Sequence, residues 1–110
     1  MANRVPTISS HVLDTSEGAP AAWLSIAVST VGADGGETAL GTVMTDADGR
    51  IADLLGRPLE AGTYRLRFLV GERSPFFAAV AVDVRIEDTS RSYHVPLLVS
   101  PFGLSTYLGS

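Results

Sequence analysis

Gly62-Thr63-Tyr64-Arg65-Leu66-Arg67-Phe68-Leu69-Val70 sets Tyr64, Leu66, Phe68 and Val70 at alternate positions, with Thr63, Arg65, Arg67 and Leu69 between them. Successive side chains of a strand point to opposite faces, so this stretch reads as a strand with one dry face. Arg65 and Arg67 are its wet face. The same alternation continues outward. Leu24, Ile26 and Val28 oppose Trp23, Ser25, Ala27 and Ser29. Val80, Val82, Val84 and Ile86 oppose Ala79, Ala81, Asp83, Arg85 and Glu87. Strands of this kind pack one face inward and turn the other to water or a partner.

Turn signals punctuate the runs: Glu17-Gly18-Ala19-Pro20, Ala33-Asp34-Gly35-Gly36, Asp46-Ala47-Asp48-Gly49, Glu60-Ala61-Gly62, Gly71-Glu72-Arg73-Ser74-Pro75, Glu87-Asp88-Thr89-Ser90 and Ser100-Pro101-Phe102-Gly103. Gly supplies positive φ, Pro fixes φ, and Asp or Ser bonds its own backbone. Strands are expected over Ile8–Asp14, Ala22–Val31, Thr38–Thr45, Arg50–Leu54, Thr63–Val70, Phe77–Glu87, Ser92–Ser100 and Leu104–Leu108. The fold class is all-β, a two-sheet antiparallel β-sandwich. Pro96 cannot donate to a ladder, which predicts an edge, a bulge or an unpaired position there. Residues 1–110 form one domain, with 1–7 expected as a loose N-terminal segment.

The chain has 110 residues, 45% of them hydrophobic, which suffices for one core and leaves apolar surface for copies of itself. The formal charge is −4. Arg4, Arg50, Arg57, Arg65, Arg67, Arg73, Arg85 and Arg91 are scattered and there is no lysine, so no basic stripe exists for nucleic acid or anionic lipid. With no cysteine, thiolate catalysis and cysteine-ligated metals are excluded. Met1-Ala2-Asn3-Arg4-Val5-Pro6 lacks the apolar core of a secretory signal, and no apolar run is long enough for a bilayer. The expected location is cytoplasmic.

Both histidines lie in terminal strands, in Ser9-Ser10-His11-Val12-Leu13-Asp14 and Tyr93-His94-Val95-Pro96-Leu97-Leu98. Alternation puts Ser9, His11 and Leu13 on one face, against Ile8, Ser10 and Val12. It sets His94 and Pro96 opposite the apolar Val95, Leu97 and Val99. Ser105 and Tyr107 share a face of the last strand. Arg50 follows an Asp-Gly turn. If His11, Arg50, His94 and Tyr107 converge, a histidine can take a proton from water near neutral pH. The guanidinium can hold an anion or a developing oxyanion. That is the chemistry of a metal-free hydrolase of a small polar molecule. The plain alternatives are a surface histidine, a solvated hairpin arginine and a packing tyrosine. A metal shared by the histidines and Asp14 lacks any His-x-His or His-x-x-x-His spacing, and Gly35-Gly36 has no following helix to cradle phosphate.

Ile8-Ser9-Ser10-His11-Val12-Leu13-Asp14-Thr15-Ser16-Glu17-Gly18-Ala19-Pro20-Ala21 resembles the opening motif of the transthyretin-like family. Thr45-Asp46-Ala47-Asp48-Gly49-Arg50 resembles its internal motif, Gly62-Thr63-Tyr64-Arg65-Leu66 its central strand, and Tyr93-His94-Val95-Pro96-Leu97-Leu98 with Ser100-Pro101 and Ser105-Thr106-Tyr107 its C-terminal signature. The resemblance spans nearly the whole chain and is strongest to the family's enzymatic branch, which hydrolyses 5-hydroxyisourate in urate breakdown.

The resemblance implies a homotetramer, a dimer of dimers, with sites in the channel between dimers. It implies His11, Arg50, His94 and Tyr107 as catalytic residues. Arg50, Ser105, Ser110 and Leu108 would line the place of a small heterocyclic substrate, with no cofactor and no metal. Hormone-carrying relatives lack these polar groups. Two positions depart from the pattern. Leu108 stands where the family's Tyr-Arg-Gly-Ser ending has arginine, and Gly71–Pro75 leaves room for only about one helical turn. A relative acting on another cyclic amide or carbonyl compound, or a non-catalytic binder of small ligands, therefore stays open.

Overall fold

The computed structural model describes residues 5–110. Among them every regular element is a strand: β1 (Ile8–Asp14), β2 (Ala19–Pro20), β3 (Ser25–Val31), β4 (Glu37–Met44), β5 (Arg50–Ile51), β6 (Gly62–Phe68), β7 (Val80–Ile86), β8 (Tyr93–His94), β9 (Leu97–Val99) and β10 (Leu104–Thr106). One sheet runs β4-β3-β6-β7, all antiparallel. The alternation of β6 is realised directly: Tyr64, Leu66 and Phe68 are buried while Thr63, Arg65 and Arg67 are half-buried. On the wet face Arg65 forks onto its cross-strand partner Asp83, at 2.7 and 2.8 Å, and reaches Glu37 Oε1 at 3.0 Å. Exposed pairs of this kind contribute at most about 1 kcal/mol each, so burial on the other face holds the sheet.

The second sheet is organised around β1. On one side β1 pairs antiparallel with β5 and β2, and on the other parallel with β8 and β9, with β10 outside β9. The sandwich is as expected from alternation; the parallel pairs are not. Ile8 and Val12 of β1, Leu97 and Val99 of β9, and Ile26, Leu66 and Phe68 of the facing sheet form the centre of the core.

The strand expected over 92–100 is split into β8 and β9. Pro96 has no N–H to give, and the gap is closed by hydroxyls: Ser10 donates to the Val95 carbonyl at 2.7 Å and Thr106 to the Pro96 carbonyl at 2.7 Å. Pro96 itself is buried, against the expectation that it shares the open side of His94. Other strands are shorter than expected. β5 ends at Ile51 and β10 at Thr106, and β7 begins at Val80 because Ser74 Oγ caps the N–H groups of Phe76 and Phe77.

The segment 71–75 forms a hydrogen-bonded turn, Arg73 N–H to the Val70 carbonyl at 2.8 Å. It is pinned at both ends. Ser74 Oγ donates to the Pro101 carbonyl at 2.6 Å, and Arg73 Nη1 lies 3.2 Å from Asp14 Oδ2 and 2.9 Å from Glu17 Oε1. Burial pushes the Asp14 carboxyl up, but hydrogen bonds from Ser16, Glu17 and Arg73 outweigh it and hold its pKa below the ordinary value. Of the segment 1–7, residues 1–4 lie outside the described residues. Thr7 is tied down by the Ser92 hydroxyl, the Asp53 carboxylate and the Tyr93 N–H.

Trp23 departs from the expected continuous strand: it has φ of 61° and is 65% exposed. A left-handed conformation costs a side-chain-bearing residue about 1–2 kcal/mol, and asparagine tolerates it better than tryptophan. Trp23→Asn is therefore expected to raise stability by about 0.5–1 kcal/mol, read as a higher Tm at fixed protein concentration. A lower Tm would mean that indole packing outweighs the strain.

Candidate active site

Paired residues on neighbouring strands point to the same side of a sheet. In β1, Ser9 and His11 share the side opposite the buried Ile8, Ser10 and Val12. Arg50 of β5 is the register partner of His11, and His94 of β8 is the register partner of Ser9. Both imidazoles and the guanidinium thus emerge on one sheet face, from three adjacent strands. Arg50 and His94 line a groove of about 820 Å³ together with Thr7, Ser9, Asp53 and Ser110; His11 stands opposite Arg50 on the same sheet face, outside the lining of that groove.

Arg50 is placed by the turn before it. Asp46 Oδ1 accepts the N–H groups of Asp48 and Arg50 at 2.8 and 3.0 Å. The Arg50 N–H is the largest influence holding the Asp46 carboxyl below its ordinary pKa; burial opposes it. Gly49 closes the turn at φ 75°, and a Cβ there would stand 2.6 Å from the Val12 carbonyl oxygen. That proximity is structural, since Val12 N–H donates to the Gly49 carbonyl at 2.8 Å. The turn is thereby fused to β1, which sets Arg50 opposite His11.

The same turn orients His11, whose Nε2 lies 3.1 Å from the Asp48 carbonyl oxygen. A carbonyl only accepts, so Nε2 carries the hydrogen and Nδ1 holds the lone pair of neutral His11. His94 Nδ1 lies 2.9 Å from Ser9 Oγ. Desolvation, followed by the charges of His11 and Arg50, holds the His94 pKa below its ordinary value, which keeps it neutral at pH 7. Arg50 makes no ion pair among the described residues, leaving its charge available to the groove. Among those residues, no three His, Asp or Glu side chains gather as a metal site.

The profile of the HIUase/Transthyretin family matches residues 8–109. The chain belongs to the HIUase/Transthyretin family. A 5-hydroxyisourate hydrolase of Caulobacter vibrioides is 40% identical over 114 residues, spanning 94% of this chain and 97% of the relative. The structure of Klebsiella pneumoniae 5-hydroxyisourate hydrolase is similar with a TM-score of 0.82 at 35% identity, covering 96% of this chain and 99% of the other. Sea bream transthyretin in complex with thyroxine is similar with a TM-score of 0.83 at 32% identity, covering 93% of each chain. The two scores do not separate an enzyme from a hormone-binding protein. Within the HIUase/Transthyretin family that distinction rests on the site residues.

On this HIUase/Transthyretin fold, one chain brings Arg50, His94 and Ser110 to the groove, with His11 opposite Arg50 on the same sheet face. It does not bring Tyr107, Leu108 or Ser105 into the groove. After β10 the chain crosses back so that Gly109 bridges to His94, and Tyr107 and Leu108 are left 55% and 61% exposed. Ser105 is the partner of Leu98, which is the partner of Leu13, so it lies farther across the same face. Ser9, the Asp48 carbonyl, Asp46 and Gly109 are absent from the sequence-based site. Ser9 was findable, two residues before His11 on one strand face. Gly109 was not, because nothing local announces a bridge to His94.

Proposed function

We propose that the protein hydrolyses 5-hydroxyisourate or a close ring analogue, without a metal. The observation that carries this reading is the emergence of two imidazoles and a guanidinium on one sheet face, with His94 and Arg50 lining the groove there, His94 held neutral and Arg50 in no ion pair among the described residues. His94 Nε2 takes a proton from a water as its oxygen attacks the ring carbonyl carbon. Arg50 stabilises the oxyanion of the tetrahedral intermediate. The intermediate collapses, the C–N bond breaks, and the His94 imidazolium returns the proton to the departing nitrogen. His11, fixed through Asp48, orients the water and substrate. Ser110 positions the ring.

The working form is read as a cytoplasmic homotetramer, a dimer of dimers. Two features support it: β7 and β10 end their sheets as edges with unused backbone groups, and Tyr107 and Leu108, directly after β10 in the chain, are exposed. In the assembly these two side chains, with Ser105, complete a neighbour's groove. An exposed Leu108 where the family has arginine favours a second reading, binding of an apolar ligand without turnover.

Loss of freshly generated 5-hydroxyisourate, followed by absorbance, tests the first reading. Acceleration by the protein is expected; tight aromatic binding with no acceleration would replace it with the second. The acid limb of kcat/KM is expected below the ordinary imidazole pKa of about 6.5, because lowering that pKa keeps His94 unprotonated to lower pH. Removing the charge in Arg50→Gln is expected to move the limb upward. An unmoved or downward-shifted limb counts against His94 as the titrating base.

A further inference from the structure

Gly109 does not owe its identity to backbone conformation, since it is not among the residues with positive φ. It owes it to space. A Cβ there would stand 2.8 Å from Cδ2 of the His94 ring and 3.4 Å from Cγ. The backbone cannot retreat freely, because Gly109 N–H donates to the His94 carbonyl at 2.7 Å and the two residues form a bridge. Another part of the ring is held by Ser9, whose Oγ lies 2.9 Å from Nδ1 and makes no other side-chain hydrogen bond among the described residues. Nε2 has no partner among those residues, and His94 lines the groove. A half-buried ring held in this way has its rotamer fixed before substrate arrives.

We propose that Gly109 and Ser9 are positioning residues for His94: the bare Cα of Gly109 and the Ser9 hydroxyl hold the ring, Nδ1–H donates to Ser9 Oγ, and the Nε2 lone pair faces the groove. This rests on the hydrolytic reading above and adds which nitrogen is the base and what fixes it. The hydrogen bond at one ring nitrogen sets the protonation of the other. Ser9 therefore selects the tautomer, and Gly109 selects the direction in which it points. Neither touches the reacting atoms in this scheme.

The test has two arms, both on the full chain. In the first, Gly109→Ala is expected to lower kcat on 5-hydroxyisourate at least about tenfold, with KM within about twofold and Tm nearly unchanged, because a misplaced base slows the step without weakening binding. Wild-type kcat in a folded Gly109→Ala protein overturns the role of Gly109. In the second, ¹⁵N NMR of the free protein above the His94 pKa is expected to show His94 protonated at Nδ1. Ser9→Ala is expected to shift it toward Nε2–H, and Ser9→Thr to restore it. An Nε2–H tautomer in the wild type, or an unchanged one in Ser9→Ala, overturns the role of Ser9. The second arm needs no substrate and no Gly109 variant. A protein that fails to hydrolyse 5-hydroxyisourate yet shows Nδ1–H refutes the function and keeps the hydrogen bond; turnover with Nε2–H does the reverse.

Discussion

His94→Gln is expected to lower kcat on 5-hydroxyisourate by about 100- to 10,000-fold, the range supplied by a positioned general base. In the proposed scheme Arg50 still holds the ring's charge, so the loss should fall on kcat rather than KM. Folding should be little affected. His94 is half-buried at the end of a short strand, and its backbone bonds, including that from Gly109 N–H to its carbonyl, do not need the imidazole. Steady-state kinetics with a thermal melt on the same preparation reads both quantities. Full activity in a folded variant would remove His94 from the chemistry and, with it, the reading built on its neutrality.

Gly49→Ala is the substitution expected to cost most in stability. Two penalties coincide at this position. The φ of 75° is unfavourable for any residue with a Cβ, and that Cβ would sit 2.6 Å from the Val12 carbonyl oxygen, which also accepts the Ala21 N–H at 2.9 Å. Backbone on a central strand cannot swing aside as a side-chain tip would. The expected loss is about 2–4 kcal/mol by denaturant unfolding. Gly18→Ala supplies the control: its φ is 64° but nothing lies within 4 Å of the added Cβ, so only the conformational penalty of about 1 kcal/mol remains. Equal losses at the two positions would show that the contact with Val12 relaxes freely. Activity of Gly49→Ala should fall beyond its loss of folded protein, since the same turn presents Arg50 and the Asp48 carbonyl.

The alternation of β3, β6 and β7 was legible because each has one face against the core and one against water, and a two-residue period records that directly. The sidedness of His11 and His94 was legible for the same reason. Their proximity was not. It depends on β1 lying between β5 and β8, and the parallel pairing of β1 with β8 and β9 follows the path of the whole chain, which no local pattern encodes. Pro96 announced a defect without saying that Ser10 and Thr106 hydroxyls would repair it. The family motifs supplied what periodicity could not, implying that Arg50 and the histidines belong to one site. Alternation put Ser105 and Tyr107 on one strand face, and the motif added Leu108 beside them. The structure leaves Tyr107 and Leu108 outside the groove of a single chain because the last strand stops at Thr106, and Ser105 because β9 separates it from β1.

β1 carries Ser9 near its start and His11 at its centre, with Arg50 across one seam and His94 across the other. The strand between them is gripped on both flanks, and His94 is held besides by its bridge to Gly109. Heat inactivation should therefore coincide with cooperative melting of the sheet, and the slowest-exchanging amides should include those of β1. Within one chain, loss of the histidine–arginine arrangement and loss of the sheet are expected to be a single event.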